Sequence, residues 1–245
     1  MKDYVYDGSF DGLLTAIFHA YKEESPVKLL KELDYIPHLF NEKVTILTEI
    51  DKADRVYNSI YTKLSYDTLL NVYYLYLSDI QDIETLILDY IRLCFKYSDT
   101  INLAKNNDII RSVDKYKRRV SGEAHLFTGL VRFKEITPLV FYAQIEPDHN
   151  ILPLILGHFK QRFSDQHFII HDLKREYAIL YDLKEAYLHD LSLEEGRKLA
   201  TLAAADSLEN LFKSFYKATT ISERHNERQQ RSYMPKRYWK HLVEI

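Results

Sequence analysis

One cysteine, Cys94, stands in a chain of 245 residues. A lone thiol closes no internal disulfide and falls short of the several thiolates that usually hold an iron–sulfur cluster. Its place in an apolar helical pattern predicts a buried thiol and a cytoplasmic protein. Glycine and proline are also scarce, at six residues each. There is no Gly-rich dinucleotide fingerprint, phosphate-binding loop or Gly-x-Ser-x-Gly elbow, so the common nucleotide-dependent and hydrolase classes lose most of their support. Long apolar runs are missing too. The longest uncharged apolar run, Thr68 to Ser78, falls short of the roughly 18 apolar residues of a membrane span. The opening Met1-Lys2-Asp3-Tyr4 lacks a signal peptide's apolar core. No membrane partner and no cofactor are expected.

What is present belongs to a folded protein. The chain is 46% hydrophobic and 28% charged, outside the range of disordered sequences, and its length suits one large domain or two small ones. Twenty tyrosines are the unusual feature. Tyrosine joins a flat apolar body to a polar tip, which suits half-buried surfaces and stacking; a compositional habit accounts for them equally well. The net charge of -3 conceals a polarity: residues 1–100 hold 10 basic and 17 acidic residues, whereas 213–241 hold eight basic and two acidic. A basic rear half hints at a polyanion partner.

Periodicity predicts an α+β fold. Tyr4 to Tyr6 reads as a strand, Asp7-Gly8 as a turn, and Ser9 as the N-cap of a helix with Leu13, Leu14 and Ile17 on its apolar face. Val44 to Thr48 reads as a second strand, followed by helices near 51–63, 66–78 and 82–97. Paired strands are expected at His125 to Phe133 and Leu139 to Ile145, then a helix at about 151–163. Phe168 to His171, Tyr177 to Tyr181 and 185–189 complete the strands. Ser192 and Glu195 form a capping box for a long helix to about 217. The expected architecture is a helical N-terminal part, a mixed and mainly antiparallel sheet with flanking helices, and a basic C-terminal arm. It divides into 1–105, mostly helical and acidic, and 106–245, α+β, with one compact domain as the alternative.

Four segments are candidates for function. In the arm, a helix over 222–232 would align Arg224, Arg228 and Arg231 on one face, with Lys236, Arg237, Tyr238 and Trp239 beyond it. Such a row can follow phosphates, and the rings offer surfaces for unstacked bases; the opposing reading has Tyr238 and Trp239 pinning the terminus to the core. Lys117, Arg118 and Arg119, with Lys115, form a second basic cluster. Glu123 and His125 would share a strand face, where a carboxylate can orient an imidazole; a salt-bridged strand end serves as well. Asp148 and His149 crowd a strand-to-helix turn whose capping needs no chemistry, and His171 closes a strand. A catalytic site built from Glu123, His125, Asp148, His149 and His171 is the enzymatic candidate, with no metal assigned.

Several blocks together resemble a known bacterial family: Tyr6-Asp-Gly-Ser-Phe-Asp-Gly12, Val120-Ser-Gly-Glu-Ala-His125, Gly129-Leu-Val-Arg-Phe133, Tyr142-Ala-Gln-Ile-Glu-Pro-Asp-His149, His158-Phe, Arg162-Phe163 and Met234-Pro-Lys-Arg-Tyr-Trp239. It is similar to a family assigned to DNA metabolism or DNA repair, encoded beside a radical-SAM protein and in some relatives fused to a uracil-DNA-glycosylase-like domain. The resemblance implies DNA and a radical-SAM protein as partners. It supplies no catalytic residues. Two readings follow: a nucleic-acid-binding accessory protein acting with that partner, or a metal- or acid/base-dependent enzyme on DNA or nucleobases using the Glu123, His125, Asp148 and His149 region. In a third, the acidic front is a docking face for the partner.

Overall fold

Four of the five residues of the first strand, β1 (Lys2–Tyr6), are buried, as befits the centre of a parallel sheet covered on both faces. The computed structural model, which describes residues 2–23, 26–38, 40–203 and 227–242, places β1 between β2 (Val27–Lys31) and β3 (Glu42–Thr45), both parallel to it. Parallel neighbours need a crossover, and helix α1 (Phe10–Ala20) supplies it between β1 and β2. Ser9 caps α1, its hydroxyl accepting the Gly12 N–H at 2.9 Å. Asp7 in turn accepts from the Ser9 N–H at 2.9 Å, the Ser9 hydroxyl at 2.7 Å and the Thr48 hydroxyl at 2.7 Å. A side chain at position 12 would put its Cβ 2.1 Å from Asp7 Oδ1. The Tyr6–Gly12 block is therefore a strand-to-helix knot that only glycine at position 12 admits.

Helices α2 (Ile50–Lys63), α3 (Tyr66–Leu77) and α4 (Ile83–Tyr97) follow. Leu13, Ile17, Ile60, Val72, Ile87 and Ile91 meet in one core. Cys94 is buried in α4, as its sequence context predicts, and burial pushes its thiol up to about 11. No helix among the described residues is long and apolar enough to cross a membrane.

The chain forms two compact units, Met1–Val120 and Ser121–Ile245, and the division falls within helix α5 (Asp108–Leu130). In the second unit a five-stranded sheet has the order β4 (Lys134–Thr137), β5 (Val140–Ile145), β6 (His167–Asp172), β7 (Tyr177–Tyr181), β8 (Ala186–Asp190). Only β5 and β6 are parallel, joined by α6 (Leu152–Arg162); the other three pairings are antiparallel. Helices α7 (Leu193–Ala203) and α8 (Glu227–Tyr233) and a 3-10 segment (Lys236–His241) follow the sheet. Phe127, Ile145, Ile155, Phe159, Phe168 and Tyr238 share a second core.

The fold is thus α+β with N-terminal helices and a mostly antiparallel sheet, and one expected strand is corrected. Residues 125–130, read as strand, continue α5. Ile110, Val113, Val120, Ala124 and Phe127 are buried at helical spacing, while Gly122 and Gly129 lie on the exposed side with open space where a Cβ would stand. Each glycine costs a helix about 1 kcal/mol against alanine, which burial of that apolar face outweighs. The strands β2 and β4 had no counterpart in the sequence reading. Of the helix expected from Ser192 to about 217, α7 covers Leu193–Ala203; residues 204–217 lie outside the described residues.

A polar clamp around Glu123

Placing Glu123 on α5 rather than on a strand separates it from His125. Two residues along a helix is about 200° of rotation, so Glu123 points inward, 5% exposed, and His125 faces solvent. A buried carboxylate must have its lone pairs filled. Glu123 Oε1 accepts the Asp148 N–H at 2.7 Å and Oε2 accepts the His149 N–H at 2.8 Å. The Tyr238 hydroxyl donates to Oε1 as well. Tyr238 is 2% exposed and its ring packs edge-on against Phe127, centroids 4.8 Å apart. Burial first, then the bond to Glu123, pushes its phenol well above the usual tyrosine range.

The same turn is held from the opposite side. Lys174 Nζ and Arg175 Nη2 donate to the Asp148 carbonyl at 3.1 and 2.9 Å, and Arg175 Nη1 to the Pro147 carbonyl at 3.3 Å. Arg175 also pairs with fully buried Asp172 at 2.9 Å. Burial pushes the Asp172 carboxyl up and Arg175 opposes that shift. At the rim, Arg237 Nε meets Asp148 Oδ2 at 3.0 Å, and Lys240 and His241 meet Glu146 at 2.5 and 3.2 Å. Burial alone would push Glu146 up, yet Lys240 and His241 hold it below the usual carboxylate range. The Glu-Pro-Asp-His and Arg-Tyr-Trp blocks thus meet each other and Glu123 at one place. The tertiary partners Arg175 and Lys174 were not singled out from sequence, where a strand-turn Leu-Lys-Arg carries no signal of its destination.

His171 lies in a separate setting. It is fully buried, its Nε2 lies 2.9 Å from the Leu191 carbonyl and its Nδ1 lies 2.8 Å from the Tyr142 hydroxyl. A carbonyl only accepts, so Nε2 carries the proton and Nδ1 accepts from Tyr142. That fixes one neutral tautomer, and burial holds the imidazole below its ordinary pKa. Gln144 Nε2 donates to the Tyr142 hydroxyl at 3.2 Å.

The five candidate catalytic residues therefore divide: Glu123, Asp148 and His149 meet in the clamp, His125 faces solvent on α5, and His171 bonds to Tyr142 and Leu191. Among the described residues, no three His, Cys, Asp or Glu side chains are grouped to hold a metal ion.

The basic residues also divide. Arg224 lies outside the described residues, and Arg228 and Arg231 are exposed on α8. Arg237 pairs with Asp148 while remaining half exposed. Lys236 Nζ sits over the Trp239 ring, 5.5 Å from its centroid, and the indole N–H donates to the Met234 carbonyl at 2.7 Å. Tyr238 and Trp239 pin the chain to the core, with Tyr238 offering no face to solvent. On α5, Lys115, Arg118 and Arg119 are exposed, whereas Lys117 is half-buried on the side of buried Val113 and Val120.

An α+β scaffold with its chain blocks locked by a buried polar clamp is the class of protein defined by these contacts. A model for a domain of unknown function, DUF4130, matches residues 81–244, and the chain belongs to this family. No curated protein matches the chain. These findings correct the labels drawn from resemblance: DNA metabolism, DNA repair, DNA binding and radical-SAM association come neither from the family, whose function is undefined, nor from a curated relative.

Proposed function

We propose that the chain is a non-catalytic binding protein for the phosphate backbone of a nucleic acid, a feature that RNA and DNA share. One observation carries the reading: Lys115, Arg118 and Arg119 project into solvent from one stretch of α5. Lys115 and Arg119 both lie over the Tyr116 ring, at 5.4 and 6.0 Å, so the cations are held together rather than dispersed. The basic C-terminal segment supplies further exposed cations at Arg228 and Lys236. The clamp supports a scaffold role, because Glu123 uses its two oxygens to hold the backbone N–H groups of Asp148 and His149. A cytoplasmic setting fits the single buried thiol.

The test is a salt series of fluorescence anisotropy with labelled RNA and DNA oligonucleotides. Each phosphate contact steepens the logarithmic salt dependence by about 0.9. Lys115→Ala with Arg119→Ala should weaken binding and flatten the slope by about 1.8. Equal affinity and slope in the double variant, or no binding at low salt, would remove the reading.

A further inference from the structure

A cavity of about 520 Å³ opens in the first unit between α1, α2 and α4. Its size falls within the range of small-molecule sites. The rings of Phe18, Tyr21 and Phe95 line it over an aliphatic floor, with Tyr21 and Phe95 edge-to-face at 5.8 Å. At the rim stand Lys22, Arg55 and Lys63. Arg55 and Lys63 are eight residues apart on α2 with Ser59 midway, so helical geometry sets all three on one face.

The rim charges run against their surroundings. Residues 1–100 carry 17 acidic and 10 basic side chains, and several lysines of this unit pair with carboxylates: Lys28 with Asp82, Lys31 with Asp79, Lys52 with Glu49. Lys22, Arg55 and Lys63 have no carboxylate or hydrogen-bond partner among the described residues, and no described carboxylate lines the cavity. Arg55 instead lies over the Phe18 ring at 5.3 Å. Three cations with no carboxylate partner among the described residues, set around one aromatic cavity, call for a ligand with a flat apolar body and several negative charges. Two helical turns, about 12 Å along the axis, separate Arg55 from Lys63, too far for one carboxylate and a suitable span for a phosphate chain.

We infer that this cavity binds a nucleoside di- or triphosphate, its base against the Phe18, Tyr21 and Phe95 rings and its phosphates at Lys22, Arg55 and Lys63. No Gly-rich loop is needed, because side chains rather than backbone N–H groups meet the phosphates. Except at α4, the lining lies outside the span matched by the family model, and none of it belongs to the α5 surface.

Isothermal titration of the full chain with ATP, adenosine, inorganic triphosphate and decanoate tests the inference. ATP should bind, with adenosine and triphosphate each at least about tenfold weaker, since each lacks one half of the recognition. Arg55→Gln and Lys63→Gln, both at exposed positions, should each weaken ATP about tenfold. Ser59→Trp, which fills the space, should abolish binding while circular dichroism stays unchanged. Equal affinity for triphosphate and ATP, a preference for decanoate, no binding at millimolar ATP, or unaltered binding in all three variants would each overturn it.

Discussion

The phenol of Tyr238 donates to the carboxylate of Glu123 across 115 residues of sequence, and that contact joins the C-terminal 3-10 segment to the interior of the second unit. Both Glu123 oxygens are engaged: Oε1 accepts the Asp148 N–H and the phenol, and Oε2 accepts the His149 N–H.

An ordered pair of substitutions follows from that geometry. Tyr238→Phe removes one donor and leaves the carboxylate bonded twice, so a loss of about 1–2 kcal/mol is expected. Glu123→Gln sets an amide N–H₂ against a backbone N–H, adding a donor clash to the lost acceptor, and should cost more, about 2–4 kcal/mol. Urea unfolding of both variants checks the order. If Glu123→Gln proved the milder change, the clamp would not be what holds the turn at 148–149.

The neutral His171 makes stability depend on pH in one direction. Its ordinary value is 6.5, and burial lowers it in the fold while Glu176 and Glu195 pull the other way. Below about pH 6.5 the unfolded chain gains a proton that the folded ring resists, so this contribution is complete above that pH and is lost as pH falls toward the lower folded value. His241, also lowered by burial against the opposing pull of Glu146, adds in the same window. Thermal melts from pH 7.5 to 5 should show a falling midpoint. His171→Gln should flatten the fall without abolishing it; an unchanged slope would mean that the ring is not held neutral.

Two glycines in helices should respond oppositely to alanine. At Gly196 in α7 a Cβ would stand 2.5 and 2.6 Å from His171 ring atoms and 3.0 Å from the Tyr142 hydroxyl. Gly196→Ala should therefore destabilise by about 1–3 kcal/mol. At Gly157 in α6 nothing lies within 4 Å, and alanine should stabilise by about 0.5–1 kcal/mol. Differential scanning calorimetry on both variants decides the matter, since a shared sign would mean that backbone propensity, rather than the approach to His171, governs position 196.

Cys94 should report on the first unit. Buried, with its thiol pushed up to about 11, it should resist a thiol-reactive disulfide reagent at pH 8 and react fully in denaturant. Fast labelling of the native chain would show that α4 opens readily.

Much of this was legible in local pattern. Ser9 caps α1 and the Ser192–Glu195 box forms as read, with the Ser192 hydroxyl donating to Glu195 at 2.6 Å. The strands at His167–Asp172, Tyr177–Tyr181 and Ala186–Asp190 sit where alternation put them, because each signal lies within a few residues. The stretch after 120 misled, since Gly122 and Gly129 bracket a strand-like His-Leu-Phe-Thr run. Only the longer spacing of Val113, Val120 and Phe127 reveals the helix. The clamp itself was beyond local reading: Glu123 was visible as a lone acid, but Asp148, Arg175 and Tyr238 reach it or its turn only through the sheet and its connections.

The distance in sequence between Glu123 and Tyr238 becomes a distance in time during synthesis. At roughly 5–20 residues per second, the 115-residue separation takes about 6–23 s to synthesise. Through that interval the nascent second unit holds a carboxylate without its phenol donor, and Phe127 lacks the ring that packs against it. A ribosome that stalls within the interval releases a chain whose second core stays incomplete and open to proteases. Closure of the clamp therefore waits until residue 238 has been made.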